Sequence, residues 1–336
     1  MKNWKLLFFR FISRLILKDP AFSPSLMSRY QKWTLLWREG MNQVGRWLRR
    51  PIAFYLTTVG LETNNTCNLS CHHCPVSTEM TRSRGLMSWS FFRQLIDNNP
   101  YIYRIYLTNW GEPLLHPEIV DMVDYAHTRG IHVSLTTNGT LIDRKMGQAL
   151  LKAGLNLLKV SIDGGPKLYE KIRGYSYDRI KENVYQFLRL REEIGSSTWV
   201  EVTMVIYEET IDEVKGFLNE WQNLVNAVNF QPRFFSLPRA RRTPCRDLWR
   251  LLVVLWDGRV TPCCVDYNGE LVLGRADVQR LSDIFNSSSM RVLRKQHLRK
   301  KWSGLCAQCT YYEADYHLSL EKIDEIKRNL RSKKRL

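Results

Sequence analysis

Thr66-Cys67-Asn68-Leu69-Ser70-Cys71-His72-His73-Cys74 places three thiols at the spacing Cys-x3-Cys-x2-Cys. The stretch follows a strand-like run, 57–63, so the thiols sit on the loop leaving a first strand. Thiolates are the usual ligands of iron–sulfur clusters, and a cubane cluster has four irons to satisfy. Three cysteines leave one iron without a protein ligand, open to a small molecule that chelates it and takes an electron. A zinc site with His72 or His73 as fourth ligand is the competing reading. Three inert buried cysteines are the simplest one.

Downstream, strand and helix patterns alternate. Strands are expected at 57–63, 102–108, 131–136, 156–162, 199–206 and 226–231. Amphipathic helical stretches fall around 88–98, 116–129, 142–153, 167–194 and 210–223. Six β/α units in series predict an α/β fold with a parallel sheet. They are too few to close an eight-stranded barrel, so a partial, TIM-like (β/α)6 barrel is expected. Chemistry in such barrels sits at the C-terminal ends of the strands. The cysteine triplet, Gly111-Glu112-Pro113, Thr137-Asn138-Gly139 and Ser161-Ile162-Asp163-Gly164 all fall there. Singly, each of the last three is also an ordinary turn sequence, and Arg173 an ordinary solvated helix charge.

The alternation breaks after Arg233. Residues 251–256 and 259–263 flank Asp257-Gly258, a hairpin signal. Two short helical stretches, Cys306-Ala307-Gln308-Cys309 and a charged C-terminal helix follow. With Cys245 and Cys263 the last pair makes a second set of four thiols, which would also suit tetrahedral zinc. Cys264 is left over: neighbours on a strand point to opposite faces, so Cys263 and Cys264 cannot easily reach one metal.

Eight cysteines in 336 residues are too few for a disulfide scaffold, and their grouping suggests metal ligation. No apolar run approaches the roughly 20 residues that cross a bilayer. Arg10 and Arg14 interrupt the apolar N-terminal stretch and no cleavage site follows, so a cytoplasmic protein with reduced thiols is expected. Of the net charge of +17, residues 1–50 carry +9, 291–301 carry +6 and 321–336 carry +4, leaving −2 elsewhere. The basic character therefore lies on appendages, which argues against nucleic acid as a partner at the site. Residues 4–18 fit a helix with Trp4, Phe8, Phe11, Ile12, Leu15 and Ile16 on one face. Pro20 and Pro24 end it, and a second helical stretch runs from about Leu26 to Leu48. The first helix either docks on the body or lies in the plane of an anionic membrane, each Lys or Arg there contributing about 1 kcal/mol.

Cys-x3-Cys-x2-Cys after strand one of a partial barrel resembles the radical S-adenosylmethionine (SAM) superfamily, over roughly residues 57–232. The resemblance implies a 4Fe–4S cluster on Cys67, Cys71 and Cys74 that reductively cleaves SAM to methionine and a 5′-deoxyadenosyl radical. Trp110-Gly111-Glu112-Pro113 stands where the family has Gly-Gly-Glu-Pro, which receives the SAM amino group. Thr137 and Asn138 stand where the family approaches the ribose and carboxylate. Ser161, Asp163 and Arg173 resemble the group that anchors carboxylate and ribose, and a guanidinium facing a carboxylate has its own physical logic. His73 and Val205 take positions near adenine.

Cys245, Gly258, Cys263 and Cys306-x2-Cys309 resemble the start of the SPASM extension, in its shortened "twitch" form. That implies a second, auxiliary 4Fe–4S cluster on Cys245, Cys263, Cys306 and Cys309, and work in electron transfer. The expected domains are a basic helical segment 1–50, a radical SAM core 51–235, the auxiliary-cluster domain 236–316 and a basic helix 317–336. The resemblance implies an electron donor such as flavodoxin or ferredoxin. It also implies oxidation of a small sugar- or cyclitol-like alcohol, with peptide maturation, lipid modification or a non-catalytic iron–sulfur protein as alternatives. Arg233 and Arg239 could bind an anionic group or be solvated loop residues.

Overall fold

The computed structural model describes residues 29–233, 243–309 and 319–333. The helix expected over 4–18, its terminating prolines and Arg239 lie outside those residues. Along the chain come α1 (Arg29–Trp47), β1 (Thr58–Leu61), α2 (Pro75–Thr78), α3 (Trp89–Asp97), β2 (Arg104–Tyr106), α4 (Ile119–Thr128) and β3 (His132–Thr137). Then follow α5 (Arg144–Lys152), β4 (Leu157–Ser161), α6 (Pro166–Arg173), α7 (Tyr177–Ile194), β5 (Trp199–Ile206), α8 (Val214–Trp221) and β6 (Ala227–Pro232). The C-terminal part holds β7 (Leu251–Val254), β8 (Arg259–Thr261), β9 (Gly274–Arg275), α9 (Leu281–Phe285), α10 (Ser288–Leu298), α11 (Gly304–Gln308) and α12 (Leu320–Lys333).

One nine-stranded sheet runs β6-β5-β4-β3-β2-β1-β7-β8-β9. The first six strands pair in parallel, each neighbour joined by a helical crossover, as the partial-barrel reading requires. The seventh was not foreseen. β7 adds in parallel to β1, with Thr58 opposite Leu251 and Leu61 opposite Val254, so the C-terminal hairpin extends the barrel sheet itself. β7 and β8 then pair antiparallel around Asp257-Gly258, as the turn signal predicts, and Gly258 takes φ +87°.

Strand alternation sorts side chains into two environments. On β4, Leu158 and Val160 enter the core against the helices, while Lys159 and Ser161 line the interior of the half-barrel. On β7, Leu252 and Val254 join the same core, and Leu251 and Val253 turn inward.

Two expectations need correction. The helical stretch 167–194 is two helices: Gly174 at φ +67° ends α6, and the Ser176 hydroxyl caps α7 by accepting from the Arg179 amide. The strand expected over 259–263 ends at Thr261, because Pro262 has no N–H to continue a ladder. Cys263 and Cys264 therefore lie on a bend, and strict alternation does not govern them.

The second N-terminal helix matches α1, held by the buried Asn42 side chain, which donates to the Tyr55 carbonyl (2.6 Å) and accepts from the Phe54 and Tyr55 amides. At the chain's other end α12 buries Ile323 and Ile326 and pairs Lys327 with Asp212 at 2.5 Å. Among the described residues no helix is long and apolar enough to cross a membrane.

Candidate active site

At the C-terminal ends of the strands the half-barrel opens into a cavity of about 370 Å³. Cys67, Cys71 and Cys74 line it together, with Cys74 at the start of α2, whose first residue is Pro75. The Leu69 amide (3.4 Å) and the Asn138 side-chain amide (3.7 Å) donate toward Cys67 Sγ. Burial pushes all three thiols up, Cys74 to about 11. Their protons would be displaced only by a strong local positive charge, which a bound metal supplies. Among the described residues no three His, Cys, Asp or Glu side chains converge as ligands of a single ion. A cubane asks for no such convergence, since each thiolate binds its own iron. Three thiols with two donors aimed at one sulfur suit a cluster.

Glu112 is the best-anchored acid of the cavity. Its Oε1 accepts from Thr137 Oγ1 (2.6 Å) and the Leu114 amide (3.1 Å), and its Oε2 from the Asn138 amide (2.7 Å). Burial nevertheless raises it to about 7, the three donors only partly offsetting the loss of water. Gly111 precedes it at φ +106°, where an added Cβ would stand 2.7 Å from the Thr66 carbonyl and 2.8 Å from that of Asn64. The motif is thus packed directly against the segment between β1 and Cys67, and glycine is required on both counts.

Arg173 is buried, and its Nε and NH2 both donate to Asp163 Oδ2, at 3.0 and 2.7 Å. Asp163 Oδ1 accepts from the Val205 amide at 2.8 Å, tying β5 to the same carboxylate. His73 Nε2 lies 3.6 Å from Asp163, and burial lowers that imidazole to about 4, so it is neutral near pH 7. Its Nδ1 is buried without a hydrogen-bond partner. Of the ten residues expected to touch SAM, Asp163 alone is off the cavity wall; it stands behind and orients Arg173.

The second thiol set also assembles. Cys263 has Cys245, Cys264, Cys306 and Cys309 close enough for each thiolate to raise its proton affinity. Cys264 lies beside this set, near Cys263 and Cys309, and it also packs on the Leu251, Val253 and Leu255 cluster and lines the cavity, which Cys263 does not. The Trp110 indole donates to the Cys264 carbonyl at 2.6 Å, and its ring meets Tyr267 edge-on at 5.8 Å. The Trp in place of glycine thus bridges the two thiol sites.

Several supports were not read from the sequence. Asn64 donates to the Glu112 carbonyl (2.8 Å), and Arg84 clamps the cysteine loop through the Asn65 (2.7 Å) and Val76 (2.6 Å) carbonyls. His297 Nδ1 accepts from the Cys245 amide at 3.3 Å. The Asn64-Asn65-Thr66 run ahead of the first cysteine was the only available signal, because the others act across 8 to 52 positions of chain.

Residues 61–220 match the radical SAM superfamily, and residues 245–310 match an iron–sulfur cluster-binding domain, SPASM. The chain is 26% identical over 254 residues to the tungsten-containing aldehyde ferredoxin oxidoreductase cofactor-modifying protein of Pyrococcus furiosus, covering 60% of this chain and 69% of that one. It is also 26% identical over 262 residues to the S-adenosyl-L-methionine-dependent 2-deoxy-scyllo-inosamine dehydrogenase of Niallia circulans, covering 75% and 91%. Likeness to the AdoMet-dependent heme synthase of Methanosarcina barkeri, 31% over 118 residues, spans 34% of either chain. Among solved structures, anSMEcpe with bound AdoMet superposes with a TM-score of 0.60 at 14% identity (82% and 96% covered). BtrN in complex with AdoMet and 2-DOIA does so at 0.54 and 20% (77% and 94%). Those likenesses confirm the barrel-plus-extension fold. The cofactors that go with these two domains are a 4Fe–4S cluster with SAM and an auxiliary iron–sulfur cluster. The chain belongs to the radical SAM superfamily and carries a C-terminal SPASM domain.

Proposed function

We propose that this chain oxidises an alcohol of a small sugar- or cyclitol-like substrate, with Cys67, Cys71 and Cys74 holding the SAM-binding cluster and Cys245, Cys263, Cys306 and Cys309 the auxiliary one. When bound, SAM with the cluster held by Cys67, Cys71 and Cys74 would supply a radical able to take a hydrogen atom from a carbinol carbon, and the auxiliary cluster would supply an acceptor for the remaining electron. The alcohol proton is released, and the ketone is the product.

The protein's residues orient and enclose. Glu112, locked by Thr137 and the Asn138 amide, would receive the SAM amino group. Arg173, fixed by Asp163, would pair with the SAM carboxylate, and Ser161 would meet the ribose. His73 and Val205 flank the adenine in this reading. A flavodoxin or ferredoxin is the electron donor in this reading, and the sequence divides into a core of residues 51–235 and an auxiliary-cluster domain of residues 236–316.

One observation carries the reading: the same cavity is lined by the first cysteine triplet and by Cys264, next to the second set, so a substrate there lies between both cofactors. Identity of 26% to a SAM-dependent dehydrogenase along 91% of its length points the same way. The test is anaerobic reconstitution followed by assay for 5′-deoxyadenosine from SAM under reductant. Product that disappears in Cys71→Ala supports the proposal. A protein that takes up zinc without sulfide and makes no 5′-deoxyadenosine sinks it.

A further inference from the structure

We infer that one face of α1, with the turn after it, binds the surface of an anionic lipid bilayer. Trp33, Trp37 and Trp47 enter the headgroup layer, and a rim of Arg and Lys meets the lipid phosphates. The inference goes beyond the proposed reaction and does not depend on it.

α1 has two unlike sides. At about 100° per residue Leu35, Glu39 and Asn42 fall on one side, and all three are buried. Trp33, Trp37 and Trp47 fall within an arc of about 80° on the other side. They are 49%, 45% and 82% exposed, and Leu48, Ile52 and Phe54 just beyond them are exposed as well. The exposed Trp and Phe side chains among the described residues, Trp33, Trp37, Trp47 and Phe54, all belong to this helix and its turn. Single exposed apolar side chains are ordinary on a protein surface. A tryptophan row about 21 Å long is not.

The charge beside that row has one sign. Asn286 exchanges two hydrogen bonds with the Ala53 backbone (3.2 and 2.9 Å), and Arg294 NH1 donates to the Pro51 carbonyl at 3.4 Å. Arg49 NH2 donates to the Leu298 carbonyl at 2.6 Å, across 249 positions of chain. These bonds hold the turn after α1 against α10, so two basic segments far apart in sequence touch. Residues 40–54 and 284–304 contain no Asp or Glu, and Arg49, Arg50, Arg299, Lys300 and Lys301 are exposed where they meet. The one acid of α1, Glu39, is buried and accepts from Thr57 Oγ1 at 2.5 Å. Indoles settle at the level of lipid headgroups, and cations beside them are drawn to an anionic leaflet. An acidic soluble protein would answer the cations alone. A bilayer surface answers the cations and the length of the tryptophan row together.

The test floats the full-length, reconstituted protein with vesicles of phosphatidylcholine, alone or mixed with phosphatidylglycerol. Flotation with the anionic vesicles, little with phosphatidylcholine alone, and release at high salt are expected. Partition should fall about tenfold in the double variant Trp47→Ala, Leu48→Ala, and about tenfold or more in Lys300→Gln, Lys301→Gln. None of these side chains lines the cavity, so 5′-deoxyadenosine formation should stay at the wild-type rate in both variants. Circular dichroism establishes folding; the two variants lie on different segments, and if one is misfolded the other decides. No flotation, equal flotation with both vesicles, or undiminished flotation of a folded variant, as when residues 1–28 alone hold the vesicle, overturns the inference. A flavodoxin is titrated in parallel: salt-sensitive binding that both variants weaken, without flotation, gives the face to a protein and overturns the inference too. Absence of 5′-deoxyadenosine from the wild type would strike the proposed function and leave this inference standing.

Discussion

The indole Nε1 of Trp110 donates to the carbonyl of Cys264 across 2.6 Å, joining the loop after β2 to the bend that ends the C-terminal hairpin. The two residues are 154 positions apart. The bond couples the placement of the Glu112 motif to that of the second thiol set.

Trp110→Phe keeps the bulk and removes the donor. A net loss of about 1 kcal/mol is expected, read as a lower urea midpoint at unchanged slope. Retention of the full midpoint would show that the bond contributes nothing.

Cys263 and Cys264 should separate cleanly. Cys263→Ser is expected to lose roughly half the bound iron, one of two cubanes, while Cys264→Ser keeps it. Iron and acid-labile sulfide after anaerobic reconstitution check this, and the reverse pattern would move the ligand to Cys264.

Arg173→Met leaves the fully buried Asp163 without its cation. Breaking a buried pair from one side costs on the order of 3 kcal/mol or more, so denaturant unfolding should shift strongly. The same variant should bind SAM poorly by equilibrium dialysis.

Gly111→Ala and Gly174→Ala form a matched pair, both at positive φ. At Gly174 nothing lies within 4 Å of the added methyl, so only backbone strain of about 1 kcal/mol is expected. At Gly111 the methyl meets two carbonyls below 3 Å, and the cysteine loop must move. Loss of the first cluster with survival of the second is expected in Gly111→Ala alone, visible in the spectrum of the reduced protein.

Glu112 gives a pH signature. Its folded pKa of about 7 lies above the ordinary glutamate value of 4.5, so between those values the native chain holds a proton that the unfolded chain has released. Stability from this carboxyl is therefore intact below about 4.5 and falls as pH rises toward 7, by up to about 3 kcal/mol. The stability difference between wild type and Glu112→Gln, measured from pH 5 to 8, should follow that slope and level off above 7. A flat difference would place the carboxyl in a wetter setting.

What the residues determined unaided was local or serial. Thiol spacing, turn chemistry at Asp257-Gly258 and six alternating apolar patterns were legible because each depends on neighbours within a few positions. Their order alone brought Cys67, Glu112, Asn138, Ser161 and Arg173 to one end of a parallel sheet. The tertiary structure decided what depends on register and distance along the chain. That β7 docks on β1 rests on an edge whose pairing no local pattern encodes. That Lys159 faces inward, with Glu201 beside it on the neighbouring strand, follows from which face of each strand turns toward the axis. A one-residue slip would reverse every one of those side chains, so only the assembled sheet could settle them.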